Sequence, residues 1–394
     1  MEIEAQLLLF DTAFRLSYGV SRYRLSLSIR LSIDGNVGLG SGIYYACPPL
    51  KAYRDLQDTI LPILRDARVD NLGEIRDRVA SLFGIVDGGA LYGVDTALWD
   101  LDAKNSNKNL GPMLGLGPIK RESINITEQI WAVSPSELRT ELDPILARGS
   151  TQIKVKVNMG DDWGVSYLKQ IRQICGSNIQ LKIDPNGQYP TMKIAANSLQ
   201  AMEEMNVELV EDLLPSSSDF SKVRELKNSL TSMKIMLDYN MSNTETLNRA
   251  IDNNAFDVIN IKLSRVGGIT RAIPLIQRCA EAGKLISIGC NEDIGPAMFG
   301  ILHLSSVVPN YYGTEGVGWY RLNSKILKDE PLIKNGNIEI PNCFGVQPAA
   351  NFEFQGSFLR ERVSNSPSIK FRYSSFQRRA VNYVAKISHE LWKG

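Results

Sequence analysis

The sequence predicts an α/β protein in which a (β/α)8 barrel follows a smaller α+β domain. Three observations carry this. The chain has 394 residues, 43% of them hydrophobic, which is enough for a large core and too long for one small domain. From Ser123 onward, eight short apolar segments alternate with helix-like stretches at a period of about 25–30 residues, the length of a strand-plus-helix unit. Finally, no GxGxxG follows a strand and opens a helix, as the competing doubly wound sheet requires.

The elements follow in order. In the first domain, residues 1–115, the run 24–33 (RLSLSIRLSI) alternates apolar with polar residues and ends at Asp34-Gly35-Asn36, a strand entering a tight turn. Residues 38–42, Gly-Leu-Gly-Ser-Gly, read as a loop. Helical periodicity covers 50–83 and then 92–104, with Gly115 and Pro118 as punctuation. The barrel occupies 116–320, with strands expected at 123–131, 152–157, 179–183, 207–210, 234–237, 258–262, 285–289 and 309–313. Runs at 330–334 and 338–340 flank Gly336-Asn337 as a hairpin. Residues 351–394 hold eight Lys/Arg against three acidic residues and read as a basic tail, solvated or touching another subunit.

Composition narrows the function. The 44 basic and 43 acidic residues leave a net charge of +1, so no field steers the whole molecule to nucleic acid or a membrane. No apolar run reaches the ~18 residues of a membrane span. The first residues lack the basic region and cleavage site of a secretory leader, so a cytoplasmic protein is expected. Five cysteines (Cys47, Cys175, Cys279, Cys290, Cys343), widely spaced and without a CxxC, suit reduced thiols. Only two histidines, His303 and His389, are present. That excludes a three-histidine metal site and leaves lysines or carboxylates as acid–base groups near neutral pH.

Charged residues recur at the strand ends. Lys154 and Lys156 share one face of the second barrel strand. Asp184, Glu211, Asp238 and Lys262 then follow Lys156 at spacings of 28, 27, 27 and 24 residues. Near-constant spacing places one charged group per unit at the C-terminal mouth, where barrel active sites sit. Three converging carboxylates repel one another unless a hard cation lies between them, and all-oxygen ligands suit Mg2+, with Mn2+ as an alternative. A lysine beside that cation and another lysine is expected to have a depressed pKa and to serve as a base. Metal plus lysine is the equipment for removing a proton next to a carboxylate, the cation stabilising the enediolate.

These residues resemble the enolase superfamily and, within it, the muconate-lactonizing-enzyme-like subgroup of the mandelate racemase/muconate lactonizing enzyme family. The matching segments are YGVDTALWDLDAK, IKVKV, KIDPNGQ, LVEDLLP, MLDYN, NIKLSRVGG and IGCNEDIG, in family order. The resemblance implies an α+β capping domain over a modified TIM barrel, with residues 321–350 packing back on the cap. It implies Asp184, Glu211 and Asp238 as Mg2+ ligands, Lys156 and Lys262 as the acid–base pair on opposite faces of a small-molecule carboxylate, and Lys154 as the group that neutralises or positions the enolate. Asn186 would lie near the metal and Glu292 near the site. Glu315 could meet a polar substrate group and Arg22 a substrate carboxylate, the latter from a covering loop at 14–22 that pairs with one at 42–49. A homo-oligomer is also implied. The lack of a suitably placed histidine argues against the mandelate-racemase branch. Gly313-Thr314-Glu315 on the eighth strand looks like the cycloisomerases, which makes cycloisomerisation the first expectation. Racemisation or epimerisation of an amino acid derivative and o-succinylbenzoate-type dehydration stand beside it. A Schiff-base aldolase using Lys262 and a non-catalytic binding barrel are the readings from other classes.

Overall fold

The computed structural model describes residues 2–16, 19–44, 54–130, 136–157, 163–189, 191–215, 219–238, 243–316, 331–346 and 359–362. Its first part is an antiparallel sheet of β1 (Glu2–Leu16), β2 (Gly19–Ile33) and β3 (Asn36–Tyr44). A short strand from the far end of the chain, Leu359–Arg362, lies on the outer edge of β1. Asp34 and Gly35, at φ 49° and 81°, form the tight turn expected between β2 and β3.

The expected loop at 38–42 is strand instead, and its glycines explain why. On the Gly88–Asn105 helix, the carbonyls of Gly89, Gly93 and Ala97 press against Gly42, Gly40 and Gly38. A Cβ on these three glycines would lie 1.9, 1.9 and 2.0 Å from the oxygens. Two strand residues advance about 6.7 Å and four helix residues about 6 Å, so the glycine rows stay in step. The alternating glycines thus form one face of a strand laid directly on helix backbone. The segments expected to be covering loops are correspondingly strand ends where they are described: 14–16 and 19–22 belong to β1 and β2, and 42–44 to β3, while 17–18 and 45–49 lie outside the described residues.

The second part is a closed barrel of eight parallel strands: β4 (Ser123–Ile130), β5 (Gln152–Lys156), β6 (Gln180–Asp184), β7 (Val207–Glu211), β8 (Lys234–Leu237), β9 (Val258–Lys262), β10 (Leu285–Gly289) and β11 (Tyr311–Glu315). Pairing of Thr314 and Glu315 with Ile126 and Thr127 completes the circle. The eighth strand begins two residues later than expected. The Pro296–Val307 helix runs long, and a turn through Asn310 (φ 46°) precedes the strand. β12 (Asn337–Glu339) pairs antiparallel with β4, reached through Asn335-Gly336 with both φ positive. The hairpin partner expected at 330–334 contributes a single bridge, Lys334 to Asn337, and residue 330 lies outside the described set.

Several bonds hold sheet and barrel together. Ser41 Oγ donates to Ile294 O (2.7 Å) and accepts from Ala297 N (2.9 Å). Tyr92 OH donates to Ala297 O (2.5 Å) and Trp99 Nε1 to Thr270 Oγ1 (3.0 Å). Buried Asp95 accepts from Thr270 N (3.0 Å) at the start of the Ile269–Glu281 helix. Val346 N donates to Asp100 Oδ1 (2.7 Å), and His303 Nε2 donates to Val346 O (2.9 Å), so this C-terminal stretch bridges the Gly88–Asn105 and Pro296–Val307 helices. His303 is therefore a core residue. Cys175, Cys279, Cys290 and Cys343 are unpaired thiols.

Two outcomes follow. Gly40→Ala should cost at least about 2 kcal/mol in urea unfolding, because the methyl meets backbone rather than a movable side chain. Burial holds the His303 pKa down at about 4 against an ordinary 6.5. Between these values the unfolded chain binds the extra proton, so stability falls as pH drops from about 6.5 toward 4. The loss from pH 7 to pH 5 is about 2 kcal/mol at ~1.4 kcal/mol per unit, and His303→Gln should flatten that part of the stability–pH curve.

Candidate active site

Alternation along each strand sends every second side chain into the barrel, and the pairing register fixes its height. Lys154 pairs with Lys182, and Asn260 with Ser287, which in turn pairs with Gly313. Allowing for strand tilt, Lys154, Glu211, Asn260 and Glu315 from β5, β7, β9 and β11 reach one level. This is the four-residue layer from alternate strands that fills such barrels, and here the layer is polar. Lys154 Nζ donates to Glu211 Oε2 (2.5 Å) and Glu315 Oε2 (2.6 Å). Asn260 Nδ2 donates to Glu211 Oε1 and Glu315 Oε2, both at 3.0 Å. Two donors thus alternate with two carboxylates in a closed ring, every member buried.

Beneath the ring, Lys182 Nζ donates to Thr127 Oγ1 (3.0 Å) and Gln152 Oε1 (2.9 Å) and lies 4.7 Å from the Tyr312 ring centre. Burial pulls its pKa down to about 8. Thr127 therefore faces inward, whereas Glu128 points outward to Arg148 and Ser150.

Above the ring come Asp184, at the end of β6, and Asp238, just after β8. Lys156 and Lys262, from β5 and β9, stand over them. These two strands are four apart in a circle of eight, so the lysines oppose each other across the mouth. Lys156 Nζ pairs with Asp184 Oδ2. Lys262 Nζ lies 2.5 Å from Asp238 Oδ2 and 3.7 Å from Glu211 Oε1. Asn186, at φ 51°, donates its backbone N (2.8 Å) and Nδ2 (2.9 Å) to Asp184 Oδ1.

Sequence reasoning missed three groups here. Arg265 Nη1 donates to Asp238 Oδ2 at 2.7 Å. Asp212 Oδ1 accepts from the backbone N of Asp238 at 2.9 Å. Asn260 closes the ring. The signals were present: Asn260 sits two before Lys262 and so on its face, Asp212 adjoins Glu211, and Arg265 is one short turn beyond Lys262. Glu292 lies buried in the loop after β10 at φ 60°. Arg22 belongs to β2, but its side chain is not among those described.

Two of the lysines, Lys154 and Lys262, have pKa values set by the carboxylates around them. Burial lowers the Lys154 pKa, but the Glu211 and Glu315 carboxylates outweigh it and hold the amine above its ordinary value. Burial also lowers Lys262, and Asp238 outweighs it despite the opposing Arg265, so that this pKa too is raised. Burial works to raise the Glu211 pKa, yet the Lys154, Lys262 and Lys156 ammonium groups hold the carboxyl well below the usual range. Burial and the neighbouring Asp238, Glu211 and Asp184 push Asp212 well up.

Oxygens of Glu211, Asp212 and Asp238 lie within 4.8 Å of one another. Asp238 Oδ1 is buried and has no hydrogen-bond partner among the described residues. An all-oxygen donor set with an unpartnered buried carboxylate oxygen fits a hard divalent cation. Asp184 adds a carboxylate at the same mouth, turned toward Lys156.

Lys154→Met removes the cation shared by two buried carboxylates. It should cost about 3–5 kcal/mol, the range for breaking a buried pair, seen as a lowered melting temperature. Adding Glu315→Gln should recover part of that loss.

Comparison with known proteins agrees with this architecture. Residues 12–115 match the mandelate racemase/muconate lactonizing enzyme N-terminal domain, and residues 137–348 the enolase C-terminal domain-like family. An o-succinylbenzoate synthase of Geobacillus kaustophilus is 24% identical over 346 residues, covering 84% of this chain and 88% of the relative. A chloromuconate cycloisomerase of Cupriavidus necator is 25% identical over 349 residues, with the same coverage. The crystal structure of a dipeptide epimerase from Enterococcus faecalis, complexed with Mg and L-Leu-L-Tyr, superposes with a TM-score of 0.78 at 20% identity, covering 87% of this chain and 97% of that one. The chain is an enzyme of the enolase superfamily and belongs to its mandelate racemase/muconate lactonizing enzyme family.

Proposed function

We propose that the enzyme removes the proton α to a carboxylate of a small organic acid through an enediolate, with Lys156 and Lys262 as its acid–base groups. One observation carries the reading: the two lysines oppose each other across the barrel, each resting on a carboxylate that flanks the axis. A substrate carbon between them meets an amine on either face. Asp184, Glu211 and Asp238 would hold Mg2+, with Mn2+ as a substitute, and Asp212 stands beside them. The cation supplies positive charge for the substrate carboxylate and the charge that builds there on deprotonation. The Asp238 carboxylate holds Lys262 above its ordinary pKa, and Lys156 rests on Asp184. With a cation held by the three acids, the lysine on the proton's side of the substrate would accept the α-proton. Its opposite number then donates or waits. Lys154, enclosed in the ring, holds Glu211 and Glu315 in place.

The first reading of the overall reaction remains cycloisomerisation, resting on Gly313-Thr314-Glu315. Within that motif, Glu315 reaches the ring. Thr314 Oγ1 contacts Ser305 Oγ (2.7 Å) and Tyr311 OH (2.9 Å), so it serves the strand's packing. Racemisation of an N-acyl amino acid is the second reading, favoured by the opposed lysines, which suit a two-base proton transfer.

The test is solvent-deuterium incorporation followed by NMR in D2O with Mg2+, over muconates and muconolactone, N-acyl amino acids, dipeptides and o-succinylbenzoate precursors. Exchange on one class of acid is expected, lost on chelation and reduced at least about 1000-fold, ~4 kcal/mol of barrel chemistry, in Lys156→Ala and Lys262→Ala. Exchange that persists in both variants would remove the lysines from the mechanism.

A further inference from the structure

We propose that Asn260 is a positioning residue that sets the orientation of Glu211 for its cation, an inference that rests on the metal reading above. Glu211 is fully buried, and both of its oxygens are engaged within the ring, Oε2 by Lys154 and Oε1 by Asn260. A carboxylate held at one oxygen can swing about that contact. Held at both, its plane is fixed, and one of its oxygens stays within 4.8 Å of oxygens of Asp212 and Asp238.

The Asn260 amide has one workable orientation. Its Nδ2 faces two carboxylates, Glu211 and Glu315, where Oδ1 would be repelled. Its Oδ1 is buried, without a hydrogen-bond partner among the described residues, and packs against Gly289. A Cβ at Gly289 would lie 2.3 Å from that oxygen, so a glycine on β10 is what leaves room for it. A neutral donor here also matters for charge. The ring of Lys154, Glu211, Asn260 and Glu315 carries one net negative charge, and a lysine at 260 would cancel it beneath the cation.

Outer groups that orient a metal ligand typically change affinity about 10–100-fold when removed. Mg2+ titration calorimetry at 10 °C, with no substrate present, provides the readout. Asn260→Ala and the milder Asn260→Ser should bind Mg2+ roughly tenfold to a hundredfold more weakly than the parent. Ser287→Ala alters a buried hydroxyl at the strand position paired with Asn260 that has no partner among the described residues, and should leave affinity within about twofold if mere disturbance of the barrel wall is not the cause. Glu211→Gln separates the two claims. If it binds Mg2+ as the parent does, the metal reading fails. If Glu211→Gln loses Mg2+ while both Asn260 variants stay within twofold of the parent, or Ser287→Ala weakens binding as much as they do, the positioning inference fails alone.

Discussion

The closed ring of Lys154, Glu211, Asn260 and Glu315 is the constraint on which the rest of the site depends. A barrel of eight strands brings four side chains to each level on its axis, and in most layers aliphatic groups fill that space. Charges placed there lose their water and must satisfy one another. Donors on β5 and β9 alternating with carboxylates on β7 and β11 achieve this, since every neighbour in the ring is of opposite hydrogen-bonding sense. The apolar share of the interior is displaced to one side, where Leu209, Met236 and Val258 pack together beneath the mouth. Built this way, the floor of the site is rigid before any substrate arrives.

The same economy of position governs the cap. The glycine rows of β3 and the Gly88–Asn105 helix bring sheet and helix to backbone contact, and that helix in turn reaches the barrel through Tyr92, Asp95 and Trp99. Ser41, between two of those glycines, enters the start of the Pro296–Val307 helix, immediately after the loop that bears Glu292. Cap and mouth are therefore linked through short side chains and backbone.

The barrel was legible in the sequence because a parallel strand buried on both faces is a short apolar run, and the helices between such runs enforce a regular spacing. The charged strand ends were legible from their regular spacing, but not their heights: Glu211 joins Lys154 in the ring, while Asp184, Asp238, Lys156 and Lys262 lie above it. What escaped was information held in pairs of elements. The 38–42 segment is glycine-rich, which locally signals a loop, and only the helix packed on it makes it a strand. Asn260 looks like an ordinary strand residue until β7 and β11 are seen beside it. The raised Lys154 and Lys262 pKa values likewise depend on carboxylates that other strands bring beside them. Substrate identity was not legible, since the segments expected to cover the mouth, 14–22 and 42–49, carry none of the matching motifs.

The mechanism rests on a divalent cation held by Asp184, Glu211 and Asp238 between two opposed lysines. A crystal structure grown with Mn2+, with anomalous scattering used to place the metal, tests it most directly. The account predicts one strong peak about 2.1–2.2 Å from oxygens of Glu211 and Asp238, near the Mg2+ distance, with Lys262 drawn away from Asp238. A map with no peak there at saturating Mn2+, and the Lys262–Asp238 and Lys156–Asp184 pairs intact, would contradict it.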